Sequence, residues 1–249
     1  MSGLMAGKVA LVTGAGAGIG RASCLRMASE GASIIAADWV LERAEETARL
    51  VDEAGGQGFA FRADVTDEDA WKALAEASVS HFGGIDVLFN NAGGGSGKDG
   101  PVTEMDLDEF WRAIRVDLFG TVLGCRTIIP HMVTRGGGSI INISSLRAVM
   151  GTRGQDAYTA AKGGVLAMSR AMAVEWADKN IRVNVMAPGV VLTERVAALI
   201  PPYSPLYQKS LLGPLEPDDV ANLVFYLASD QSKGMTGAVL NLDGGASMS

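Results

Sequence analysis

Seven short apolar runs recur along the chain, and most are followed by a stretch of helical periodicity. The runs fall near residues 8–13, 33–37, 57–61, 85–89, 138–144, 181–187 and 238–242. The helical stretches lie near 18–30, 41–54, 67–82, 106–134, 157–178 and 218–229. Runs such as Val9-Ala10-Leu11-Val12 and Ile34-Ile35-Ala36-Ala37 are continuously apolar rather than alternating, the mark of strands buried on both faces. Alternated with helices, they predict an α/β protein: a doubly wound, seven-stranded parallel sheet with helices on both faces. With no composition break or linker, residues 1–249 read as one domain.

The carboxyl ends of these strands carry the residues with chemistry in them. Strands ending at Thr13, Asn90, Ser144 and Pro188 deliver them to one sheet edge, where open α/β sheets bind ligands. The first strand runs into Thr13-Gly14-Ala15-Gly16-Ala17-Gly18-Ile19-Gly20 and then a helix. Glycines in such a turn let the backbone approach a pyrophosphate, and N–H groups of the helix start point at it. The spacing Gly-x-x-x-Gly-x-Gly differs from the G-x-G-x-x-G fingerprint, and alone it also suits a plain tight turn. The second strand ends in Asp38, about 20 residues past the glycines, where a carboxylate accepts from the adenosine ribose 2′-OH and repels a 2′-phosphate. Trp39, Val40 and Leu41 bring no cation, so NAD is favoured over NADP.

A phenol, an ammonium and a hydroxyl come together in Ser145 and the run Tyr158-Thr159-Ala160-Ala161-Lys162. Helical residues four apart lie one turn above each other, which sets Lys162 beside Tyr158. A neighbouring ammonium favours the phenolate, the form a general base requires. An isolated Tyr-x-x-x-Lys is ordinarily an exposed helix face. The glycine turn and the strand-end acid remove that isolation.

Taken together these features resemble the short-chain dehydrogenase/reductase family, in order and over nearly the whole chain. The resemblance implies a single-domain, Rossmann-like fold. Asp64-Val65 matches the acid and following backbone that contact adenine in the family. Asn90-Asn91-Ala92-Gly93 is similar to the family's NNAG motif at the floor of the cofactor site. Arg182 to Gly189 resembles the strand and Pro188-Gly189 turn beside the nicotinamide, with Val191 close behind. Thr193 matches the hydroxyl directed at the nicotinamide amide or the phosphates, and Leu240 to Gly245 resembles the last strand and its turn. The implied cofactor site is thus Gly14, Gly18, Ile19, Gly20, Asp38, Asp64, Val65, Asn91, Ala92, Gly93, Tyr158, Lys162, Pro188, Gly189, Val191 and Thr193. The implied catalytic set is Ser145, Tyr158, Lys162 and Asp117.

Asp117 is the departure. The family usually carries Asn here, holding a kink and a water that links the lysine to solvent. Asp is isosteric but, ionised, only accepts hydrogen bonds. It reads either as a working relay member or as a passive replacement with reduced turnover.

The resemblance implies an NAD(H)-dependent oxidoreductase interconverting a secondary alcohol and a ketone. Tyr158 would exchange the hydroxyl proton, Ser145 would hydrogen-bond the substrate oxygen, and Lys162 would support Tyr158 and hold the nicotinamide ribose. Alternatives are a 3-oxoacyl-thioester reductase, against whose usual NADPH Asp38 argues, and a non-catalytic NAD-binding protein of the same fold. The family also implies a homotetramer built on the helices near 106–134 and 157–178, which carry apolar or small residues on more than one face (Leu118, Val122, Leu123; Ala161, Val165, Met168, Met172).

The remainder bounds the partners. Residues 194–217 hold five of the eight prolines among apolar residues, which suits a substrate lid or an ordinary surface loop. Gly94, Gly95 and Gly97 predict a small, flexible loop at the pocket mouth. Arg147, Arg153 and Gln155 flank the catalytic residues, either to meet a polar or anionic substrate group or merely as solvated loop. A net charge of -7 without basic clusters argues against nucleic acid or an anionic membrane as partner. Two cysteines, Cys24 and Cys125, fit a reducing cytosol, and Met1–Gly7 lacks a signal sequence, so a cytoplasmic location is expected. His81 and His131 have no neighbours at ligand spacing, and no metal is expected.

Overall fold

The first strand, β1 (Val9–Thr13), is buried along its whole length and points its residues alternately to two sides. Ala10 and Val12 join one apolar cluster while Val9 and Leu11 join another. β2 (Ser33–Asp38) divides in the same way, Ile34 and Ala36 from Ile35 and Ala37. A sheet with a core on each face needs strands apolar at every position, which is why these runs do not alternate. β3 (Gln57–Arg62), β4 (Val87–Asn90), β5 (Gly138–Ile143), β6 (Ile181–Pro188) and β7 (Val239–Leu242) complete a seven-stranded sheet of order β3-β2-β1-β4-β5-β6-β7. Every pairing is parallel. This computed structural model describes residues 3–199, 204 and 209–248.

Helices cover both faces. α1 (Gly18–Ala28) supplies Cys24 and Met27 to one core, and α8 (Pro217–Ala228) adds Val220 and Val224. α2 (Leu41–Glu53) also lies on that side through Val51. The other core takes Trp71 and Leu74 of α3 (Glu68–Phe82), Ile128 and Met132 of α5 (Gly120–Arg135), and Met172 of α6 (Asp156–Glu175). The short α7 (Glu194–Leu199) follows β6. This is the doubly wound, Rossmann-like architecture expected from the sequence.

Two local features position the site. The stretch expected as one helix near 106–134 is three pieces: α4 (Leu107–Ala113), a π-helical turn at Ile114–Phe119, and α5. The wider turn carries Asp117, and π turns inside helices commonly mark functional positions. The second feature is the order of the sheet. The chain runs outward from β1 to β3 and then returns to β4 on the other side of β1, which opens a crevice at the carboxyl ends of β1 and β4.

Candidate active site

A cavity of about 1600 Å³ occupies that crevice and continues over the carboxyl ends of β5 and β6. Gly14, Gly18, Asp38 and Asp64 line one end; Ser145, Tyr158 and Lys162 line the other.

At the first end, Thr13 ties β1 to β4. Its hydroxyl accepts from Asn91 N and Ala92 N at 3.0 and 3.1 Å and lies 3.4 Å from the Phe89 carbonyl, to which it donates. Asn91 Nδ2 donates back to the Thr13 and Gly14 carbonyls at 2.9 and 3.2 Å. Gly14 has φ +61°, and a Cβ there would press Ala92 Cα at 3.0 Å, so both conformation and space require glycine. The start of α1 is bare. Ala17 offers no capping side chain and the first turn has no acid, whereas Asp67 caps α3 and Asp106 caps α4. An uncapped helix N-terminus opening on a cavity suits an anion, and the turn fits a pyrophosphate.

Asp38 is nearly buried, its Oδ2 accepting from Gly16 N at 2.9 Å and its Oδ1 from Val40 N at 3.0 Å. Each oxygen retains a lone pair for a ribose hydroxyl. Arg43 also lines this end, exposed, a cation the sequence reading did not weigh because it lies beyond the residues directly after Asp38. Asp64 is exposed, and its Oδ1 accepts from Thr66 N and Oγ1, both at 2.8 Å. Val65 lines the cavity beside it.

Lys162 organises the second end. Its Nζ lies 3.1 Å from Asp117 Oδ1, donates to the Ile143 carbonyl at 3.0 Å and sits 5.8 Å from the Tyr158 ring centre. Lys162 is 2% exposed and Asp117 0%. Asp117 Oδ1 also accepts from Gly94 N at 2.6 Å, while its buried Oδ2 has no hydrogen-bond partner among the described residues and faces the Arg112 guanidinium at 4.0 Å. Gly93 must be glycine: φ is +141°, and a Cβ would collide with Asp117 Oδ1. Ammonium has three protons; Asp117 and Ile143 engage two, and the third finds no acceptor among the described residues.

Ser145 follows β5, and its Oγ accepts from Arg147 N at 3.3 Å. The neighbouring Ser144 hydroxyl donates to the Lys162 carbonyl at 2.9 Å, fixing the end of β5 against α6. Tyr158 stands in the first turn of α6, whose N-terminus is capped from a distance: Asp99 accepts from Ala157 N at 3.1 Å and Tyr158 N at 2.9 Å. The phenol has no hydrogen-bond partner among the described residues, and its ring borders Gly95. Burial pushes the Cys125 thiol up to about 12, and Cys24 higher still, so neither is a nucleophile at neutral pH.

The glycine loop is not the loose segment the sequence suggests. Arg195 of α7 donates to the carbonyls of Gly93, Gly94 and Gly95 at 2.8, 2.9 and 2.6 Å, and Arg112 adds a bond to Gly94 O at 3.3 Å. Glu109 pairs with Arg112 at 2.9 Å, and that hydrogen bond holds the Glu109 carboxyl below the usual carboxylate range. Arg195 is a residue that sequence reasoning missed; nothing in its local pattern points a hundred residues back along the chain. Pro188 ends β6 and Gly189 follows it, Val191 pairs with Leu215, and the Thr193 methyl faces Gly18 while its Oγ1 accepts from Val196 N at 3.2 Å. Arg147 and Gln155 line the cavity; Arg153 is exposed and off its wall. Of the expected lid, α7 is described, while Ile200, Pro201, Pro202, Tyr203, Pro205, Leu206 and Tyr207 lie outside the described residues.

A family model described as enoyl-(acyl carrier protein) reductase matches residues 14–247. The chain is 39% identical over 240 residues to a cis-4-hydroxycyclohexanecarboxylate dehydrogenase of Sinomonas cyclohexanicum, covering 96% of each. It superposes with a TM-score of 0.93 on a 7α-hydroxysteroid dehydrogenase complexed with NADH and 7-oxo glycochenodeoxycholic acid, at 34% identity over 98% of this chain and 96% of that one. A short-chain type dehydrogenase/reductase from Mycobacterium marinum gives 0.93 at 32% identity, covering 98% and 97%.

The chain therefore belongs to the short-chain dehydrogenase/reductase family. It is a nicotinamide-dependent oxidoreductase that acts on CH–OH groups, interconverting secondary alcohols and ketones.

The buried pair generates a prediction. Lys162→Met leaves Asp117 as an uncompensated buried carboxylate and is expected to cost roughly 3–5 kcal/mol of stability. Adding Asp117→Asn should recover most of that loss in denaturant unfolding without restoring turnover. A double variant no more stable than Lys162→Met alone would show that the pair does not carry the cost.

Proposed function

We propose that the enzyme uses NAD(H) to interconvert a ring-borne secondary alcohol and its ketone, with Tyr158 as proton acceptor and donor. The observation that carries this reading is the free phenol of Tyr158 at the cavity wall, with the Lys162 ammonium beside its ring. In the oxidation direction the phenolate takes the hydroxyl proton. Ser145, whose hydroxyl keeps a proton to donate, stabilises charge on the substrate oxygen. Lys162, through its third proton, would hold the nicotinamide ribose. Asp117 links the lysine to the glycine loop and to Arg112. When bound, the nicotinamide accepts or supplies the hydride. Ring alcohols are favoured because relatives are named for hydroxycyclohexanecarboxylate and hydroxysteroid.

NAD is proposed over NADP because Asp38 is fixed by two backbone N–H groups at the ribose end. A 2′-phosphate against that carboxylate costs about 3 kcal/mol, roughly a hundredfold in kcat/KM. Asp38→Ala should narrow the gap, since Arg43 then remains to receive the phosphate. Equal kcat/KM for the two cofactors in the unmodified enzyme would remove Asp38 from this role.

A homotetramer, cytoplasmic in location, is proposed as well, though not on the residues that suggested it. Leu123, Ala161, Val165 and Met172 are buried within the chain, and Leu118 packs on Gly164. The outward large apolars of these helices among the described residues are instead Leu107, Trp111, Phe119, Val133 and Val174, from 37% to 83% exposed. Sedimentation at micromolar concentration should show a species well above the 25.9 kDa chain; a monomer alone would count against assembly.

Tyr158→Phe removes the oxygen that moves the proton and little volume. NAD affinity should persist while kcat falls roughly 10²-fold or more. Asp117→Asn removes a negative charge beside Lys162 and should move the acid limb of the oxidation profile to lower pH. Full activity of Tyr158→Phe would overturn the mechanism, and an unmoved profile would remove only Asp117 from it.

A further inference from the structure

Two arginines of this protein are held below the usual arginine range chiefly by burial, Arg182 and Arg147. Arg182 is satisfied: its guanidinium donates to Ser232 Oγ and to the carbonyls of Leu227, Ser229 and Met235. Arg147 is not. It is half-buried and lines the cavity, yet among the described residues its guanidinium has no hydrogen bond and no ion pair. The acidic groups near enough to act on it are Tyr158 and Asp99, and Asp99 is already committed to the N-terminus of α6. Other arginines of the wall are engaged or exposed: Arg112 and Arg195 are bonded to the glycine loop, while Arg43 and Arg115 face solvent. A desolvated guanidinium without partners is costly, and its planar fork of donors matches a carboxylate.

Its place in the chain decides which anion. Arg147 sits two residues after Ser145, on the same 3-10 turn, with its backbone N–H on the Ser145 hydroxyl. Two residues of chain span at most ~7 Å, the scale of one six-membered ring with its substituents. The cofactor phosphates have their own cradle at the opposite end, in the glycine turn and the bare start of α1. We propose that Arg147 receives a carboxylate borne by the substrate on a carbon other than the carbinol carbon, which makes the enzyme selective for hydroxy acids and the matching oxo acids. This rests on the oxidoreductase reading of the same site and names its substrate class. Gln155, an amide on the same wall, is available to the second carboxylate oxygen.

The test uses the full chain saturated with NADH and, in parallel, with NADPH. Cyclohexanecarboxylate is the probe, having the carboxylate and no oxidisable hydroxyl; cyclohexanecarboxamide is its neutral match, and both are titrated by calorimetry. The carboxylate should bind ~10-fold or more tightly than the amide. Arg147→Met should bring that ratio near one, and Arg147→Lys should restore part of it. Arg153→Met, an exposed position off the wall, should leave the ratio as it was. Equal affinities in the unmodified protein, or a preference that survives Arg147→Met, overturn the assignment. If Arg147→Met does not fold, the ratios of the unmodified protein and of Arg147→Lys decide, a ratio unchanged by lysine counting against a bidentate fork. Turnover separates the two readings: oxidation of neutral ring alcohols without carboxylate preference overturns Arg147 alone. Arg147-dependent binding with no ring alcohol oxidised leaves the anion site and overturns the ring-alcohol reading.

Discussion

The Lys162–Asp117 ion pair is the constraint on which the Ser145–Tyr158 end of the cavity depends. Both partners are out of water, and burying two charges costs several kcal/mol each unless their geometry and hydrogen bonding are complete. That requirement draws four segments to one point: Lys162 from α6, Asp117 from the π turn, Ile143 O from β5 and Gly94 N from the glycine loop. None can shift without stranding a charge or an N–H group. Ser144, bonded to the Lys162 carbonyl, carries the same rigidity into Ser145. Tyr158 inherits it through α6, whose first turn Asp99 holds. The Tyr158 and Ser145 side chains are thus set by backbone contacts rather than by one another, and among the described residues neither O–H has an acceptor.

The charge layout of the cavity follows from what the backbone leaves undone. At one end the start of α1 is uncapped, and Asp38, the nearest carboxylate, is turned toward the Gly16 and Val40 N–H groups. A ligand there meets partial positive charge at the turn and a full negative charge beside it. That combination suits a diphosphate, and under the proposed NAD preference it would disfavour a further phosphate on the ribose. Across the cavity the balance reverses: Lys162 is neutralised by Asp117, but Arg147 is left with no counterpart among the described residues.

Much of this was legible in the sequence, and the rest was not, for a physical reason. Strands buried on two faces write themselves as unbroken apolar runs, and the positions of β1, β2, β5 and β6 were legible to within a residue or two. The glycine turn, Asp38, Asn91, Ser145, Tyr158 and Lys162 were legible because each combines a local chemical need with a strand end or a helical spacing. Thr13, Asp99, Arg112 and Arg195 were not, since their work is to bind backbone far away in the chain. The loop of Gly94, Gly95 and Gly97 reads as flexible by composition, and only the arginines that cross to it show that it is pinned. Periodicity placed apolar residues on helix faces but could not say what covers each face. Ala161 and Met172 therefore turned out to be core, while Trp111 and Val174 were left outside.

Asp117 is where a local departure and the tertiary structure explain each other. An ionised carboxylate in place of an amide adds a buried negative charge next to the lysine proposed to support a phenolate, which by itself would weaken that support. The surroundings offset it. Asp117 lies between two cations, Lys162 at 3.1 Å and Arg112 at 4.0 Å, and Glu109 balances Arg112 at 2.9 Å. Charges alternate along this row, so the attraction of Asp117 is divided between two partners. Arg112 at the same time bonds the loop that Asp117 Oδ1 holds from beneath. An amide at 117 would still accept from Gly94 N and Lys162 Nζ through its oxygen, but its NH2 would face a guanidinium. The chain's departure at Asp117 is therefore answered by a cation five residues earlier, Arg112 of α4, which faces the carboxylate across the start of the π turn.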